Sequence, residues 1–442
     1  MLTNMKFNQS YKAVTARKLA MVSSTLACLV TLSACASLGT LKDNMTARFH
    51  VESEPVATQV ERASPPAPRW IALADERMPT TDWVGQIDST RLSPLVLEAL
   101  SANTNVLSAA ARWDASIASA IAARSSLFPT VSLSAGASRT EYASSNLEGS
   151  NSLSVGPSVS WEADVWGRIR DGAKAGDIEA FASAADFASA RLSIAGQTSQ
   201  AWLDLIEAKL LLDLAQKSLE TQQRALRLTA RRFESGLVGS ADVRLSRSSV
   251  ASAKASLASR EQLRSSSARR LEILLRRYPS DSIDASLDLP ALPALKGSGV
   301  PSDILARRPD LIAAEQRLYA QGLRVDVARK NLLPRLSLSA DGKLSGGDIA
   351  DLFDIDSLIA SIAASLTAPL YQGGALKAEV ARNEAVLRAQ VQSYAGNILQ
   401  AYLEVENALD AERRLSEREA ALRESLKEAQ KAEERLMARY VE

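Results

Sequence analysis

The chain has 442 residues and a nearly balanced charge, with 52 Lys and Arg side chains against 51 Asp and Glu. This balance argues against a nucleic-acid-binding protein, in which a basic excess is concentrated on one face. Only 5% of the residues are aromatic, which favours long, closely packed helices over a thick core of large side chains.

The N-terminus is predicted to be a signal peptide for export. Basic residues precede an apolar run over residues 19–32, which is shorter than the roughly 20 residues that a transmembrane helix needs. The run leads into the letters LSAC at residues 32–35, which resemble a bacterial lipobox. We therefore expect residues 1–34 to be removed and Cys35 to be lipidated at the outer membrane. An ordinary signal peptide, cut at a nearby small residue, is the alternative.

Residues 35–85 are predicted to form a tether between the lipid and the body of the protein. The segment is largely polar and contains the run SPPAP at 64–68, a composition that favours extended, solvated chain. A single acyl chain holds a protein only marginally, whereas several chains anchor it stably. A lipidated Cys35 would therefore localise the protein without determining what its body does.

The body of the protein is predicted to be two copies of one structural unit. The stretch ARSSLFPTVSLSA at 123–135 returns as ARKNLLPRLSLSA at 328–340, with a constant offset of 205. This period is far longer than the roughly 20 to 50 residues of solenoid repeats. The repeat indicates a duplicated half-protomer, with copies at 86–276 and 301–442 around a connector at 277–300.

The first copy is predicted to contain a helix, two strands and a pair of long helices. Pro129 closes the first helix, because proline disfavours helical geometry at the residue before it. Apolar residues then alternate with small or polar ones in two strand-like segments. The remaining predicted boundaries are a first helix from about Pro94 to Ser126, a loop around Ser144 to Ser152, a long helix from Trp166-Gly167 to Glu234 and a return helix from Ala241 to about Arg276.

The second copy is predicted to follow the same order. Its segments are a helix ending at Pro334, a strand opening with Leu336, a connection through Gly346-Gly347-Asp348, a returning strand from Ile359 to Leu370 and a long helix after Gly374. Apolar residues in that helix fall at the spacing of a coiled-coil seam, at Leu415, Leu422, Leu426, Ala429, Leu436 and Tyr440. The final residues, 439–442, align with residues 232–235, which lead into the turn between the two long helices of the first copy. We therefore expect the second repeat to lack its tip and return helix, a segment of about forty residues.

The predicted strands are compatible with two kinds of protein, a membrane barrel shared between subunits and a periplasmic sandwich. Four weakly amphipathic strands cannot close a barrel, and open strand edges are not tolerated in lipid. An exported chain with such strands must bury them in its own core or share them between subunits. Three chains would supply twelve strands, within the usual range of outer-membrane barrels. A periplasmic sandwich is the alternative.

Five motifs resemble the TolC-like outer-membrane efflux channels, in particular their lipoprotein (NodT-type) branch. The motifs are LFPTVSLSA at 127–135, WEADVWGRIR at 161–170, ARRFESGLVGSADV at 230–243, PSDILARRPDLIAAEQRL at 301–318 and APLYQGGALKAEV at 368–380. The resemblance implies a mainly α fold with long coiled-coil helices and a small β part. It implies a homotrimer with a 12-stranded outer-membrane barrel and an α-helical periplasmic tunnel. It also implies a periplasmic adaptor and an inner-membrane pump, usually of the resistance-nodulation-division type, with drugs or other small molecules as cargo.

The same resemblance places candidate site residues at the tip between the two long helices of the first copy. Glycine suits this turn because it accepts positive φ without strain. The alternative is that the glycines only connect two helices. Asp242 is predicted to cap the following helix or, alternatively, to place a carboxylate at the pore entrance. The candidates for the adaptor contact are Gly236, Leu237, Val238, Gly239 and Ser240.

No catalytic site, metal or cofactor is predicted. The only histidine, His50, lies in the tether, and the chain has no HExxH, CxxC pair, nucleophile elbow or phosphate-binding glycine loop. The expected partners are further copies of the chain, the adaptor, the pump and outer-membrane lipid, without nucleic acid. Two alternatives stay open: a non-conducting truncated family member, and a lipid-anchored coiled-coil scaffold of the envelope.

Overall fold

The structure is a computed structural model that describes residues 56–63, 83–142, 149–291 and 301–441. The predicted signal peptide, Cys35 and His50 lie outside the described residues. The described chain is mainly helical and contains one antiparallel sheet, in agreement with the predicted fold class.

The two repeats share a run of four elements in the same order. The helices are α1 Val56–Ala63, α2 Trp83–Asp88, α3 Leu92–Ala102, α4 Thr104–Ser125, α5 Arg168–Glu234, α6 Ser240–Leu274, α7 Pro301–Arg307, α8 Pro309–Lys330 and α9 Ala375–Val441. The strands are β1 Thr130–Thr140, β2 Ser150–Ala163, β3 Arg335–Gly346 and β4 Leu358–Thr367. Two short 3-10 turns, Ile349–Phe353 and Ile355–Ser357, connect β3 to β4. The run α4, β1, β2, α5 therefore corresponds to α8, β3, β4, α9.

The helix predicted from Pro94 to Ser126 is divided in the structure at Asn103. This residue has an extended backbone, with φ −60° and ψ 132°. Its side chain accepts a hydrogen bond from the Asn105 N–H at 2.9 Å and donates one to the Leu274 carbonyl at 2.9 Å. Asparagine is a favoured N-cap because such local bonds compete with the helix. The prediction of one continuous helix was wrong, and the cap joins the start of α4 to the end of α6.

Two helices of 67 residues each, α5 and α9, are the longest elements of the described chain. At 1.5 Å per residue each is about 100 Å long. Helix α5 begins where predicted, after Gly167, whose φ of 75° favours glycine. The Asp164 carboxylate caps it by accepting the N–H groups of Ile169 at 3.0 Å and Arg170 at 2.9 Å. Among the described residues, no helix is both long and apolar enough to cross a membrane.

The four strands form one sheet in the order β1-β2-β3-β4, and every neighbouring pair is antiparallel. The β1–β2 and β3–β4 hairpins belong to single repeats. The β2–β3 pair joins the two repeats, with Ser160 opposite Ser339. Strands β1 and β4 are consequently the two outer strands of the sheet.

Two strand boundaries differ from the prediction. Strand β4 ends at Thr367 rather than Leu370, because Thr367 lies opposite Arg335, the first residue of β3. Strand β2 begins at Ser150, inside the predicted loop over 144–152. Ser150 lies opposite Thr140, the last residue of β1, so strand pairing determines both limits.

Each repeat has its own hydrophobic core, formed where short helices pack on a long one. The first core is built from α3, α5 and α6 and contains Leu92, Val96, Trp202, Leu205, Ile206 and Leu271. The second is built from α8 and α9 and contains Leu311, Leu318, Val391, Tyr394 and Ile398. Burial of each such side chain contributes about 1.5–3 kcal/mol, so both cores hold their helices firmly.

Part of the segment predicted as an extended tether is helical. Helix α1 presents Val60 and Ala63 to the second core, where both are packed against its buried residues. The two residues are three positions apart and share one face of the helix. The expectation of extended chain was wrong for residues 56–63, because burial of this face stabilises a helix that the polar composition alone does not predict. A tether role for residues 35–85 stays a prediction.

A buried carboxylate organises the start of the connector between the repeats. Glu272, near the end of α6, is 0% exposed. It accepts the backbone N–H groups of Asp281 at 2.9 Å, Ser282 at 2.6 Å and Ile283 at 3.2 Å. Burial by itself would raise the pKa of Glu272, but these bonds and the Ser282 hydroxyl lower it from 4.5 to about 2.

Glu272→Gln is expected to lower the melting temperature at pH 7, with an effect that shrinks in acid. The pKa in the folded state lies below its ordinary value of 4.5, so the carboxylate contributes stability above that pH and loses it as the pH falls toward 2. Circular dichroism melts of the detergent-solubilised chain at about pH 7 and about pH 3 measure the difference. Glu261→Gln, exposed on the same helix, is the control, with a change within about 0.5 kcal/mol. An equal loss at both pH values would contradict this role.

Candidate functional site

The sheet has one apolar face and one hydroxyl-rich face. The apolar face carries Val131, Leu133, Val155, Val159, Leu336, Leu338, Ile362 and Leu366. The opposite face carries Thr130, Ser132, Ser134, Ser158, Ser160, Ser337, Ser339, Ser365 and Thr367. Hydroxyl groups on this face bond across the strands, at 2.7 Å between Thr130 and Ser160 and at 2.8 Å between Ser132 and Ser158. Such alternation suits a sheet between an apolar medium and water.

Both outer strands are open along their full length. Every residue of β1 and of β4 is exposed. The exposed side chains include Leu133 at 76% and Ile362 at 90%. Unpaired strand edges bearing a contiguous apolar patch mark a surface that another chain or lipid covers.

The turn between α5 and α6 ends α5 with a Schellman motif. The Leu237 N–H bonds to the Arg232 carbonyl at 2.8 Å, and the Gly236 N–H bonds to the Phe233 carbonyl at 2.9 Å. Gly236 has a φ of 72°, which glycine adopts without strain. Leu237, at the apex, is 69% exposed. The turn therefore has a defined backbone and presents an apolar side chain to its surroundings.

Asp242 caps α6, the first of its two predicted roles. Its carboxylate accepts the Gly239 N–H at 2.9 Å, and its own N–H donates to the Gly239 carbonyl at 3.2 Å. A carboxylate in the first turn also interacts favourably with the positive end of the helix dipole. Val238 is half-buried beside this cap, and Ser240, exposed, is the first residue of α6. Placement of the Asp242 carboxylate at a pore entrance stays a prediction.

The tip also carries a positive charge that our sequence analysis missed. Residues 221–260 contain eight Arg and Lys against two acidic residues, a net charge of +6 (8 − 2 = 6). The exposed arginines closest to the turn are Arg224, Arg227, Arg231, Arg232, Arg244 and Arg247. None of them forms an ion pair with another residue in the part of the chain that the structure describes. The signal available in the sequence was the row of arginines at helical spacing on both sides of the turn. Because the positive and negative charges of the whole chain nearly balance, the net charge does not reveal this local excess.

Residues 95–275 and 300–442 match the sequence model of a protein family described as outer membrane efflux protein. The chain belongs to this family. The pyoverdine export outer membrane protein OpmQ of Pseudomonas putida is 32% identical over 363 residues, 79% of this chain and 75% of OpmQ. Outer membrane protein OprJ of Pseudomonas aeruginosa is 28% identical over 395 residues, 86% of this chain and 81% of OprJ. The solved outer-membrane channel OprN is 27% identical, covers 80% of this chain and 82% of its own, and has a TM-score of 0.74.

Membership of the outer membrane efflux protein family confirms the resemblance drawn from the five motifs. The structural match to OprN confirms the predicted fold, long helices with a small sheet. The descriptions of the family and of OpmQ refer to efflux and export, and neither refers to catalysis. Over the described residues, no group of three or more His, Cys, Asp and Glu side chains could hold a metal ion.

The two candidate surfaces of this efflux protein lie at opposite ends of α5. The sheet adjoins the start of the helix at Arg168, and the tip follows its end at Glu234, about 100 Å away. All five predicted adaptor-contact residues belong to that one turn or to the first residue of α6. Cys35, the predicted lipidation site, lies outside the described residues.

Proposed function

We propose that this chain is the outer-membrane channel component of a tripartite efflux system, passing drugs or other small molecules from the periplasm to the outside. The sheet supports this most directly, because its apolar face, hydroxyl-rich face and two open edges suit one third of a membrane barrel. Three copies would supply twelve strands, so the proposed assembly is a homotrimer. OpmQ, named for pyoverdine export, is a relative with an activity of this class.

The long helices would continue this barrel as a tunnel into the periplasm. Helix α5 follows β2 through Gly167, and α9 follows β4 through Gly373 and Gly374, and all three glycines have positive φ. Each helix is about 100 Å long, which is several times the thickness of the hydrocarbon core of a bilayer. The shared strand-to-helix geometry of the two repeats supports a ring of equivalent helices.

Ion conductance across planar lipid bilayers tests the channel proposal. The purified full chain is expected to form trimers in detergent, detected by native mass spectrometry, and to give discrete conductance steps. Monomers without conductance would overturn the proposal. Trimers that do not conduct would instead support the alternative of a non-conducting family member or an envelope scaffold.

The α5–α6 tip is proposed to contact a periplasmic adaptor that connects the channel to an inner-membrane pump, of the resistance-nodulation-division type. Gly236, with its positive φ, sets the shape of the turn, and Leu237 is its exposed apolar apex. The surrounding arginines repel one another, because Arg224, Arg227 and Arg231 follow at three- and four-residue spacing on one face of α5. An acidic surface on the adaptor would relieve this repulsion, so the adaptor contact is proposed to be electrostatically complementary.

Replacing Arg224, Arg227 and Arg231 together with glutamine is expected to weaken adaptor binding about tenfold at low salt, since exposed charge pairs contribute about 0.2–1 kcal/mol each. The variant should also lose most of the salt dependence of binding. Surface plasmon resonance with the cognate adaptor at several NaCl concentrations measures both effects. The control is a triple variant in which glutamine replaces Arg413, Arg414 and Arg423. These three arginines form ion pairs within α9. Equal effects of the two triples would contradict a specific role for the tip.

Cys35 is proposed to carry the lipid that anchors the mature chain to the outer membrane. Cys35→Ser is expected to abolish labelling of the chain by radioactive palmitate and to leave the signal peptide uncut, since the lipobox motif at 32–35 would be lost. Cys28→Ser is the matched control, because Cys28 lies inside the apolar run that would be discarded. No labelling of the unchanged chain, together with a signal peptide that is still cut in Cys35→Ser, would favour the ordinary signal peptide.

A further inference from the structure

A polar groove lies where α4, α5 and α8 come together. Its cavity volume is about 600 Å³, within the roughly 300–1,000 Å³ of small-molecule sites in proteins. The polar side chains that line it are Asn105, Ser108, Arg112, Ser183, Asp186 and Arg317. Ala109 and Ala190 complete the lining and leave room between the helices, because their side chains are short. The groove is therefore large enough to hold a small organic molecule.

The helices that form this groove are held together by contacts beside it. The rings of Trp113 on α4 and Phe187 on α5 are stacked, with their centroids 5.8 Å apart. Arg317 on α8 donates hydrogen bonds to two carboxylates of α5, to Glu179 at 3.2 Å and to Asp186 at 3.2 Å. Both neighbours of α5 are thus fixed against it, and the groove has a preformed shape, as small-molecule sites usually do.

Four polar side chains of the groove have hydrogen-bonding groups without a protein partner. The side chains of Asn105, Ser108, Arg112 and Ser183 form no hydrogen bond with any residue that the structure describes. The hydroxyl of Ser119, elsewhere on α4, instead donates to the carbonyl group four residues earlier, at 2.9 Å. Polar groups that converge on a cavity fix the orientation of a bound ligand and provide specificity. The unused groups of the groove therefore suit a polar ligand.

The groove also carries one uncompensated positive charge, on Arg112. This position of the first repeat corresponds to Arg317 of the second (317 − 112 = 205). Arg317 bonds to two carboxylates, whereas Arg112 is exposed and forms no ion pair within the described part of the chain. With Arg324, three arginines stand against the two carboxylates of Glu179 and Asp186, a net charge of +1 (3 − 2 = 1). The local charge therefore favours an anionic ligand.

The groove lies on the polar side of α4 and α5. Residues nine positions apart, two and a half turns, lie on opposite sides of an α-helix. Ile121 follows Arg112 by nine positions and is 63% exposed, and Leu192 follows Ser183 by nine positions and is 50% exposed. In the proposed channel, a tunnel wall built from these helices would turn its polar side toward the water-filled interior. Molecules that pass through the tunnel would then meet the groove.

We propose that this groove binds small organic anions and that Arg112 holds their carboxylate group. Guanidinium groups bind carboxylates through two parallel N–H donors, which adds specificity to the charge attraction. Asn105, Ser108 and Ser183 would bond to hydroxyl or carbonyl groups of the same molecule. The binding site follows from the geometry of the groove, and its place on the path of exported molecules rests on the proposed channel function. The favoured class is hydroxylated organic acids.

Isothermal titration calorimetry of the full chain in detergent, at low ionic strength, tests the site with citrate as the probe. Arg112→Gln is expected to weaken citrate binding about tenfold, because it removes a charge-assisted pair of hydrogen bonds. Lys174→Gln is the matched control and should bind citrate like the unchanged chain. Lys174 is exposed, forms no ion pair among the described residues, and precedes Ser183 by nine positions, on the opposite side of α5.

A second variant changes citrate binding in the opposite direction. Asp186→Asn removes a negative charge from the groove and leaves Arg317 with fewer carboxylate bonds. Citrate is expected to bind this variant about twofold to fivefold more tightly. Circular dichroism melts of every variant check that the fold is retained. The melting temperature of Arg112→Gln should equal that of the unchanged chain, because Arg112 is exposed and has no bonds within the described chain.

The outcomes separate this site from the channel proposal. Equal citrate binding by Arg112→Gln and Lys174→Gln, or no binding by the unchanged chain, would overturn the site. Conducting trimers with that result would leave the channel proposal standing. Citrate binding that depends on Arg112 supports the site, and its absence of conductance in the same preparation would overturn only the place of the groove on an export path.

Discussion

Ile362→Arg is expected to remove most of the assembled protein from the outer membrane. Ile362 lies in the middle of β4, is 90% exposed and belongs to the apolar face of the sheet. An arginine on the lipid face of a barrel strand near the middle of the bilayer costs about 2–4 kcal/mol, and a trimer would carry three of them. The fraction of heat-modifiable trimer in purified outer membranes measures the loss.

The neighbouring residue supplies the control for this prediction. Ala363 follows Ile362 along β4 and lies on the opposite, hydroxyl-rich face, where it pairs with Ser339. Ala363→Arg would place the same charge toward the proposed aqueous interior, so the trimer should still assemble. If the two arginine variants assemble equally well or equally badly, the assignment of the two faces is wrong.

Leu205→Ala is expected to destabilise the first repeat by about 2–5 kcal/mol, because truncating a buried leucine removes apolar burial and leaves a cavity. Leu205 is 0% exposed and belongs to the first core, where α5 meets α3 and α6. Such a loss is a large share of the 5–15 kcal/mol that stabilises a typical protein. Urea unfolding of the detergent-solubilised chain, followed by circular dichroism, measures the change.

A leucine on the same helix serves as the matched control. Leu228 is 61% exposed near the tip of α5, so Leu228→Ala should change the free energy of unfolding by less than about 0.5 kcal/mol. The core prediction also has a functional consequence. Since the first core positions α5 against α6, Leu205→Ala should weaken adaptor binding in proportion to the unfolded fraction, and Leu228→Ala should preserve the core. Similar unfolding free energies for both variants would contradict the assigned core.

Local signals made several positions of this fold predictable. Gly167 at the start of α5, Gly236 after its end and Asp242 in the first turn of α6 act on backbone groups within a few residues. Their geometry is a property of short stretches of chain, so the sequence is sufficient to place the tip and its cap. The long helices and the strand pairs were predictable for the same reason, from periodicity along consecutive residues.

Other positions depend on distant partners. Asn103 divides the first helix partly because its side chain reaches the carbonyl of Leu274, 171 residues away. Glu272 is buried in α6 because the start of the connector folds back and donates three backbone N–H groups to it. A polar residue within a helical pattern does not indicate whether a hydrogen-bond partner from a distant part of the chain lies beside it. The helix break at Asn103 and the burial of Glu272 could therefore not be predicted from the sequence.

The sequence by itself determined that the chain is duplicated, which long helices and strands each copy contains, and which family the chain belongs to. It could do so because repeats and motifs are patterns of consecutive residues. Only the tertiary structure decided which elements meet. Arg317 donates a hydrogen bond to Asp186, which lies 131 residues away in the sequence, and β2 pairs with β3 although the connector between the repeats separates them. Pairing over such distances depends on how the helices pack and how the strands register, and this packing is what leaves β1 and β4 as the open edges of the sheet.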